Sequence, residues 1–338
     1  MYDLRSDTIT KPTEGMRKAM YEAEVGDDVY GEDPSINRLQ DIAADLVGKE
    51  ASIYVPTGSM GNLIPIFLLC GRGNELIAHS EAHILHYEMT SVAAIAGVMP
   101  VPVDGERGVV TVAGVESHIR SDIYYLPHTK LIEIENTHNL AGGTCYKKEE
   151  LFALAHFAKK QGLKIHMDGA RMFNASAATG MTVGEIAACA DTVTFCLSKG
   201  LGAPVGSLLC GEKDFVAEAR RVRKLLGGGM RQAGILAAAG IYALENNIER
   251  LKEDHENAKK IASALSRTLW AEVDLDTVET NIIRFDTVGA SAQEISDSLK
   301  TKRILCNPTG PNSIRMVTSL AIQARDIVQI CEIIETGS

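Results

Sequence analysis

The strongest constraint on the fold is an alternation. Between about residues 50 and 210, short apolar runs bounded by small or polar residues alternate with longer stretches of helical character. Residues 52–55, 75–78, 98–103, 131–134, 165–167, 192–197 and 207–210 read as strands, and 60–69, 82–94 and 149–160 as helices. Alternating elements of this kind imply an α/β layered domain with a largely parallel sheet, because parallel strands need long crossovers that cover both sheet faces. Beyond Gly234 the pattern changes. Two long helical stretches, 237–245 and 248–266, are followed by alternating segments at 273–275, 281–285 and 313–317 and amphipathic helices at 293–300 and 325–335. The expected division is a large domain over residues 1–245, N-terminal segment included, and a smaller C-terminal α+β domain over 246–338.

A length of 338 residues suits two domains and a core large enough to enclose a water-excluding site. The formal net charge of −10 argues against a nucleic-acid or anionic membrane surface, despite the local run Arg220-Arg221-Val222-Arg223-Lys224. Seven cysteines stand at 70, 145, 189, 196, 210, 306 and 331, an odd number without CxxC spacing, so neither a disulfide framework nor a zinc ribbon is indicated. The chain shows no signal-peptide pattern and no apolar run of the ~18 residues a membrane span needs. A reducing, cytoplasmic setting is the simplest expectation.

Three segments carry chemistry when taken together. Lys199, in Ser198-Lys199-Gly200-Leu201-Gly202, directly follows an apolar strand, where ligands gather in open α/β sheets. Asp168 ends the preceding strand, in His166-Met167-Asp168-Gly169-Ala170-Arg171. The two lie 31 residues apart, room for one helix and a return strand, so both can emerge at one sheet edge. A lysine for a Schiff base and a carboxylate for a pyridinium nitrogen are the pair that pyridoxal phosphate (PLP) requires. The third segment, Val55-Pro56-Thr57-Gly58-Ser59-Met60-Gly61-Asn62, runs a strand into small residues that open a helix, a phosphate-binding geometry. Read singly, each has an ordinary alternative: a loop lysine, a helix cap, a strand–helix turn. No GxGxxG or GxxxxGK[ST] is present, which removes dinucleotide and P-loop readings. His79, His83 and His86 are closely spaced but lack an HExxH context, so no metal centre is expected; His83 suits an imidazole packed on a cofactor ring. Ser6, Arg171, Arg231 and Arg315 are candidates for holding carboxylate or phosphate.

With these motifs in order, the chain resembles the threonine aldolases, PLP-dependent β-hydroxy-α-amino acid lyases of fold type I, over nearly its whole length. The resemblance rests on Leu4-Arg5-Ser6-Asp7-Thr8, Gly26-Asp27-Asp28-Val29-Tyr30-Gly31, Glu135-Asn136-Thr137-His138-Asn139, the Asp168 and Lys199 segments above, and Gly227-Gly228-Gly229-Met230-Arg231. It implies that Lys199 forms the Schiff base, Asp168 pairs with the pyridinium and His83 stacks on the ring; His83, directly or through a water, is the candidate base because an imidazole titrates near neutral pH. Gly58 and Ser59 would bind the phosphate, with Arg231 and Lys224 contributed by a neighbouring subunit. Ser6, Arg171 and Arg315 would hold the substrate carboxylate. Relatives carry a histidine near the position of Tyr125, which places Tyr125 beside the substrate and leaves the preference between threonine and allo-threonine open. The family assembles as homotetramers, dimers of dimers, and cleaves L-threonine or L-allo-threonine to glycine and acetaldehyde. The alternatives are a β-eliminating lyase or aminotransferase on the same fold, or a silent PLP-fold protein.

Overall fold

A computed structural model describes residues 1–336. The chain opens with a two-residue strand, β1 (Tyr2–Asp3). The main sheet has seven strands: β2 (Ala51–Val55), β3 (Glu75–His79), β4 (Met99–Val103), β5 (Thr129–Glu135), β6 (Lys164–Asp168), β7 (Thr192–Cys196) and β8 (Ser207–Gly211), in the order β2-β8-β7-β6-β5-β3-β4. Only β8 runs antiparallel to its neighbours, so the sheet is mostly parallel, as the alternation predicts. Strands β3 and β7 are buried at every residue, because helices cover both faces.

Local chemistry sets the flanking helices. Pro34–Val47 starts where the Asp33 side chain accepts the N–H of Ile36, has Pro34 in its first turn and stops at Gly48 in the left-handed region (φ 65°). Its Ile36, Leu39, Ala43 and Val47 lie on one face and enter the main core. Gly58–Pro65, capped by the Thr57 hydroxyl, leads directly off β2.

A four-stranded sheet follows, built from β9 (Ala271–Glu272), β10 (Ile282–Thr287), β12 (Asn307–Pro308) and β13 (Ser313–Val317), while β11 (Ile304–Leu305) pairs with β1. A separate apolar core lies beneath, formed by Ala258, Ile261 and Leu265 of the helix Leu251–Leu265 with Ile283, Phe285 and Ile314. Leu4 also belongs to this core.

Three expectations change. The helix expected over 82–94 is two short pieces, His83–His86 and Ser91–Ala94, broken where Met89 and Thr90 adopt positive φ (54° and 56°). Positions five apart on one helix point about 140° away from each other; the end of the first piece at His86, with Tyr87 out of the helix (φ −120°, ψ 0°), lets His83 and Glu88 meet (Nδ1 to Oε1, 2.9 Å). The helix expected over 60–69 continues from Pro65 as a wider turn, Ile66–Cys70. The strand expected at 273–275 lies at Ala271–Glu272, because the Asp274 side chain caps the short turn Leu275–Thr277.

Candidate active site

The C-terminal ends of the parallel strands converge on one place. Asp168 ends β6, Glu135 ends β5 beside it in register, Lys199 follows β7, and the helix Gly58–Pro65 opens after β2. A cavity of about 280 Å³ is lined by Thr57, Gly58, Ser59, His83, Asp168 and Lys199. A Cβ on Gly58 would stand 2.9 Å from the Cys196 sulfur, so this turn tolerates only glycine at its present depth. The first N–H groups of the helix, left over by its own ladder, face the same turn.

A second cavity, about 420 Å³, adjoins the first and shares Thr8, His83 and Lys199 with it; Ser6, Asn139, Arg171 and Arg315 complete its polar wall. The two arginines differ in their bonding. Arg171 is buried and forms a two-point ion pair with Asp7 (2.7 and 2.8 Å). Burial alone would raise the Asp7 carboxyl, but the Arg171 guanidinium outweighs it and holds Asp7 below the usual range. Arg315 donates to the Asn139 side-chain oxygen (3.0 Å) and the Arg5 carbonyl (3.4 Å); among the described residues no carboxylate pairs with it. Burial, then the charge of Arg171, lowers its pKa, the signature of a cation lacking its counter-ion.

The electrostatics on the cofactor side are those of a buried anion held charged. Burial would raise Asp168, but His83, Lys199, the Ala170 N–H and the Asn62 amide together bring it below its usual value. Its neighbours on β5 go the other way: burial and the Asp168 charge push Glu135 up to about 7, and Glu133 rises well above the ordinary carboxyl range. Glu135 accepts the backbone N–H groups of His83 (2.9 Å) and Asn139 (2.8 Å), tying the two cavity walls together. Burial lowers His83, but the Glu88 hydrogen bond and the Asp168 charge outweigh it and leave its pKa raised. This donor set, an amine, a buried carboxylate ion and a helix-opening turn with bare N–H groups, fits PLP at its aldehyde, pyridine nitrogen and phosphate.

His79 and His86 do not join in. Each ring is tied to a backbone carbonyl, Gly105 (2.9 Å) and Ser80 (2.8 Å). The group that does bring three possible ligand atoms within 4.8 Å of one another is His83, Glu88 and Asp168, with the Asn62 amide hydrogen-bonded to both carboxylates.

Comparison with known proteins decides the family. Residues 3–288 match the model of the beta-eliminating lyases. The low specificity L-threonine aldolase of Escherichia coli K12 is 43% identical over 331 residues, 98% of this chain and 97% of that protein. The low-specificity L-threonine aldolase 1 of Arabidopsis thaliana is 43% identical over 332 residues, covering 96% and 93%. The chain belongs to the threonine aldolase family. It is a lyase that depends on PLP. The solved threonine aldolase of Leishmania major shares the fold, with a TM-score of 0.85 at 20% identity over 99% of each chain.

The enzyme thus gathers Ser6, Gly58, Ser59, His83, Asp168, Arg171, Lys199 and Arg315 at two joined cavities. Three expected residues lie outside them in the single chain. Arg231 is exposed and pairs with Asp27 (2.8 Å). Lys224 sits near the end of the helix Lys213–Leu225, and Tyr125 is 68% exposed on the loop before β5, edge-on to Tyr124. In the basic run, Arg223 is buried against Asp28 and the Tyr54 carbonyl, a structural role. Sequence reasoning missed Asn62, Glu88, Glu135, Asn139 and Asp7 as site residues. Asp7, Glu135 and Asn139 stand inside the recognised motifs and Asn62 closes the strand–helix segment 55–62, which was their only signal; Glu88 follows the helix end at His86, a stop that the sequence does not announce.

Proposed function

We propose that the enzyme cleaves L-threonine and L-allo-threonine to glycine and acetaldehyde at the junction of the two cavities. The observation that carries this reading is that Lys199 and His83 line both, so an amino acid held by Arg315 has its α-amine and β-hydroxyl beside them. When bound, PLP supplies the electron sink that lets the Cα–Cβ bond break.

The chain's own residues do the rest. Lys199 would hold PLP through its amine. Arg315, with Ser6 and the Asp7-oriented Arg171, would hold and orient the substrate α-carboxylate. Asp168, kept ionised, would face the pyridine nitrogen and keep it protonated. His83 donates Nδ1–H to Glu88 in its neutral form, which leaves the Nε2 lone pair to take the β-hydroxyl proton, directly or through a water. Gly58 and Ser59 would hold the PLP phosphate.

The same reading includes a homotetramer in which Arg231, Lys224 and Tyr125 serve the site of a neighbouring copy. It is supported by exposed Tyr30, Tyr87, Met89, Tyr124 and Leu225. The division near residue 246 is supported by the two separate apolar cores, and a cytoplasmic setting by the seven unpaired cysteines.

The test is release of acetaldehyde and glycine from each diastereomer without a keto-acid partner, with Lys199→Ala as control. Loss of the visible Schiff-base absorbance in Lys199→Ala is expected. Bound PLP without aldehyde release would overturn the aldolase reading and keep the fold.

A further inference from the structure

Asn62 is 2% exposed and uses both ends of its carboxamide. Its Nδ2 donates to Asp168 Oδ2 at 2.7 Å and to Glu88 Oε1 at 2.9 Å. Its Oδ1 lies 3.2 Å from His166 Nε2, and the His166 Nδ1 lies 3.0 Å from the Thr192 hydroxyl. Chemistry fixes the amide's orientation: reversed, its carbonyl oxygen would face two carboxylates. That orientation in turn requires His166 to carry its proton on Nε2 and to accept from Thr192 on Nδ1. Burial, which pushes His166 down to about 4, keeps that ring neutral.

Two further facts make Asn62 hard to replace. The Glu88 carboxylate is buried, its Oε2 has no partner among the described residues, and Oε1 is shared by Asn62 and His83 alone. Gly61 lets the helix come this close, since a Cβ there would stand 2.5 Å from the Thr194 methyl.

We propose that Asn62 is a positioning residue of the active site: by donating one N–H to Asp168 and the other to Glu88, it aims Asp168 at the cofactor and Glu88 at His83. Two carboxylates so close repel in a site with little water, and a neutral double donor is the smallest group that holds both without adding charge. The charged and titratable groups facing it are Asp168, Glu88 and His166, with Glu133, Glu135, His83 and Lys199 around them. Asn62 stands in the wall of the cofactor cavity, but its hydrogen bonds all run to protein groups, so it acts through Asp168 and Glu88. The inference rests on the reading that this cavity holds PLP.

The experiment measures PLP binding to apo wild type and apo Asn62→Asp by absorbance across pH, together with the threonine KM at saturating PLP. The carboxylate introduced by Asn62→Asp has the shape of the amide, but when ionised it has no donor and adds one negative charge. PLP affinity should fall about ten- to a hundredfold at mildly alkaline pH, the scale of a lost hydrogen bond to a charged group. The ratio to wild type should shrink as pH falls, because the introduced carboxyl regains a donor once protonated, while the threonine KM stays close to wild type. Equal affinity at every pH would overturn the proposal, and so would a uniform loss without recovery in acid, which marks simple structural damage. Should the variant not fold, nitrogen NMR of histidines in ligand-free wild type decides: His166 protonated on Nε2 supports the amide's orientation, and a proton on Nδ1 overturns it. Absence of PLP binding to wild type would instead sink the functional reading itself.

Discussion

Asp7 and Arg171 face each other as a buried two-point ion pair, with Nε to Oδ2 at 2.7 Å and Nη2 to Oδ1 at 2.8 Å. They lie 164 residues apart and join the N-terminal segment to the loop after β6. Removing one partner of such a pair leaves an uncompensated buried charge. Asp7→Asn should therefore lose about 3–5 kcal/mol of stability, read by urea unfolding of the apoprotein. A loss no larger than that of an exposed pair would show that water reaches Arg171.

Because Asp7 engages Arg171, Arg315 keeps the charge that no carboxylate neutralises among the described residues, and in the proposed function it contributes most to holding the substrate carboxylate. Arg315→Lys should raise the threonine KM about ten- to a hundredfold, with a smaller change in kcat, since a lysine cannot reproduce the planar fork. Steady-state kinetics check this, and PLP absorbance should remain as in wild type.

Glu88 holds His83 in its raised state. Glu88→Gln should lower the His83 pKa, because it removes the charge-assisted acceptor at Nδ1 and leaves only the charges of Asp168 and Glu135 against burial. If His83 is the base, the acid limb of kcat/KM moves to lower pH in this variant. An unmoved limb would assign the base elsewhere.

Burial pushes His138, His166 and His255 each down to about 4. Their unfolded value is about 6.5, so the folded state binds fewer protons between these limits. The stability they contribute is present above pH ~6.5 and is lost as pH falls toward ~4, on the order of 1.4 kcal/mol per unit for each histidine at the steepest. Thermal unfolding across that window should show a steep acid loss, and His255→Asn should flatten its slope.

Gly61→Ala should cost about 1–3 kcal/mol as an overpacked contact against Thr194, whose methyl would lie 2.5 Å from the new Cβ. Since the same contact sets the depth of Asn62, PLP affinity should fall alongside the melting temperature. A stable variant with normal PLP uptake would show that the helix can shift outward freely.

The main sheet was legible in the sequence because its strands are continuous apolar runs separated by helical ones, and this periodicity survives any detail of packing. Lys199, Asp168, Gly58 and Ser59 were legible because each sits at the end of a strand, where chain order itself fixes which edge it reaches. The positions of Glu88 and Asn62 were not. Glu88 reaches His83 because the helix ends at His86 and Tyr87 turns out of it, a stop for which the residue types there give no signal. Asn62 meets Asp168 across 106 residues of chain, a contact set by how deeply one helix seats on the sheet.

The two arginines divide along the same line. Sequence offered Arg171 and Arg315 as equals, because a guanidinium is recognisable by type but not by partner. Only the folded chain decided between them, by bringing Asp7 against one and leaving the other beside Asn139. Local pattern thus determined the family, the sheet and the residues at its strand ends, since those depend on neighbours in sequence. Which buried charges are neutralised, and which remain for a ligand, depends on contacts between segments far apart in the chain, and that was decided by tertiary structure alone.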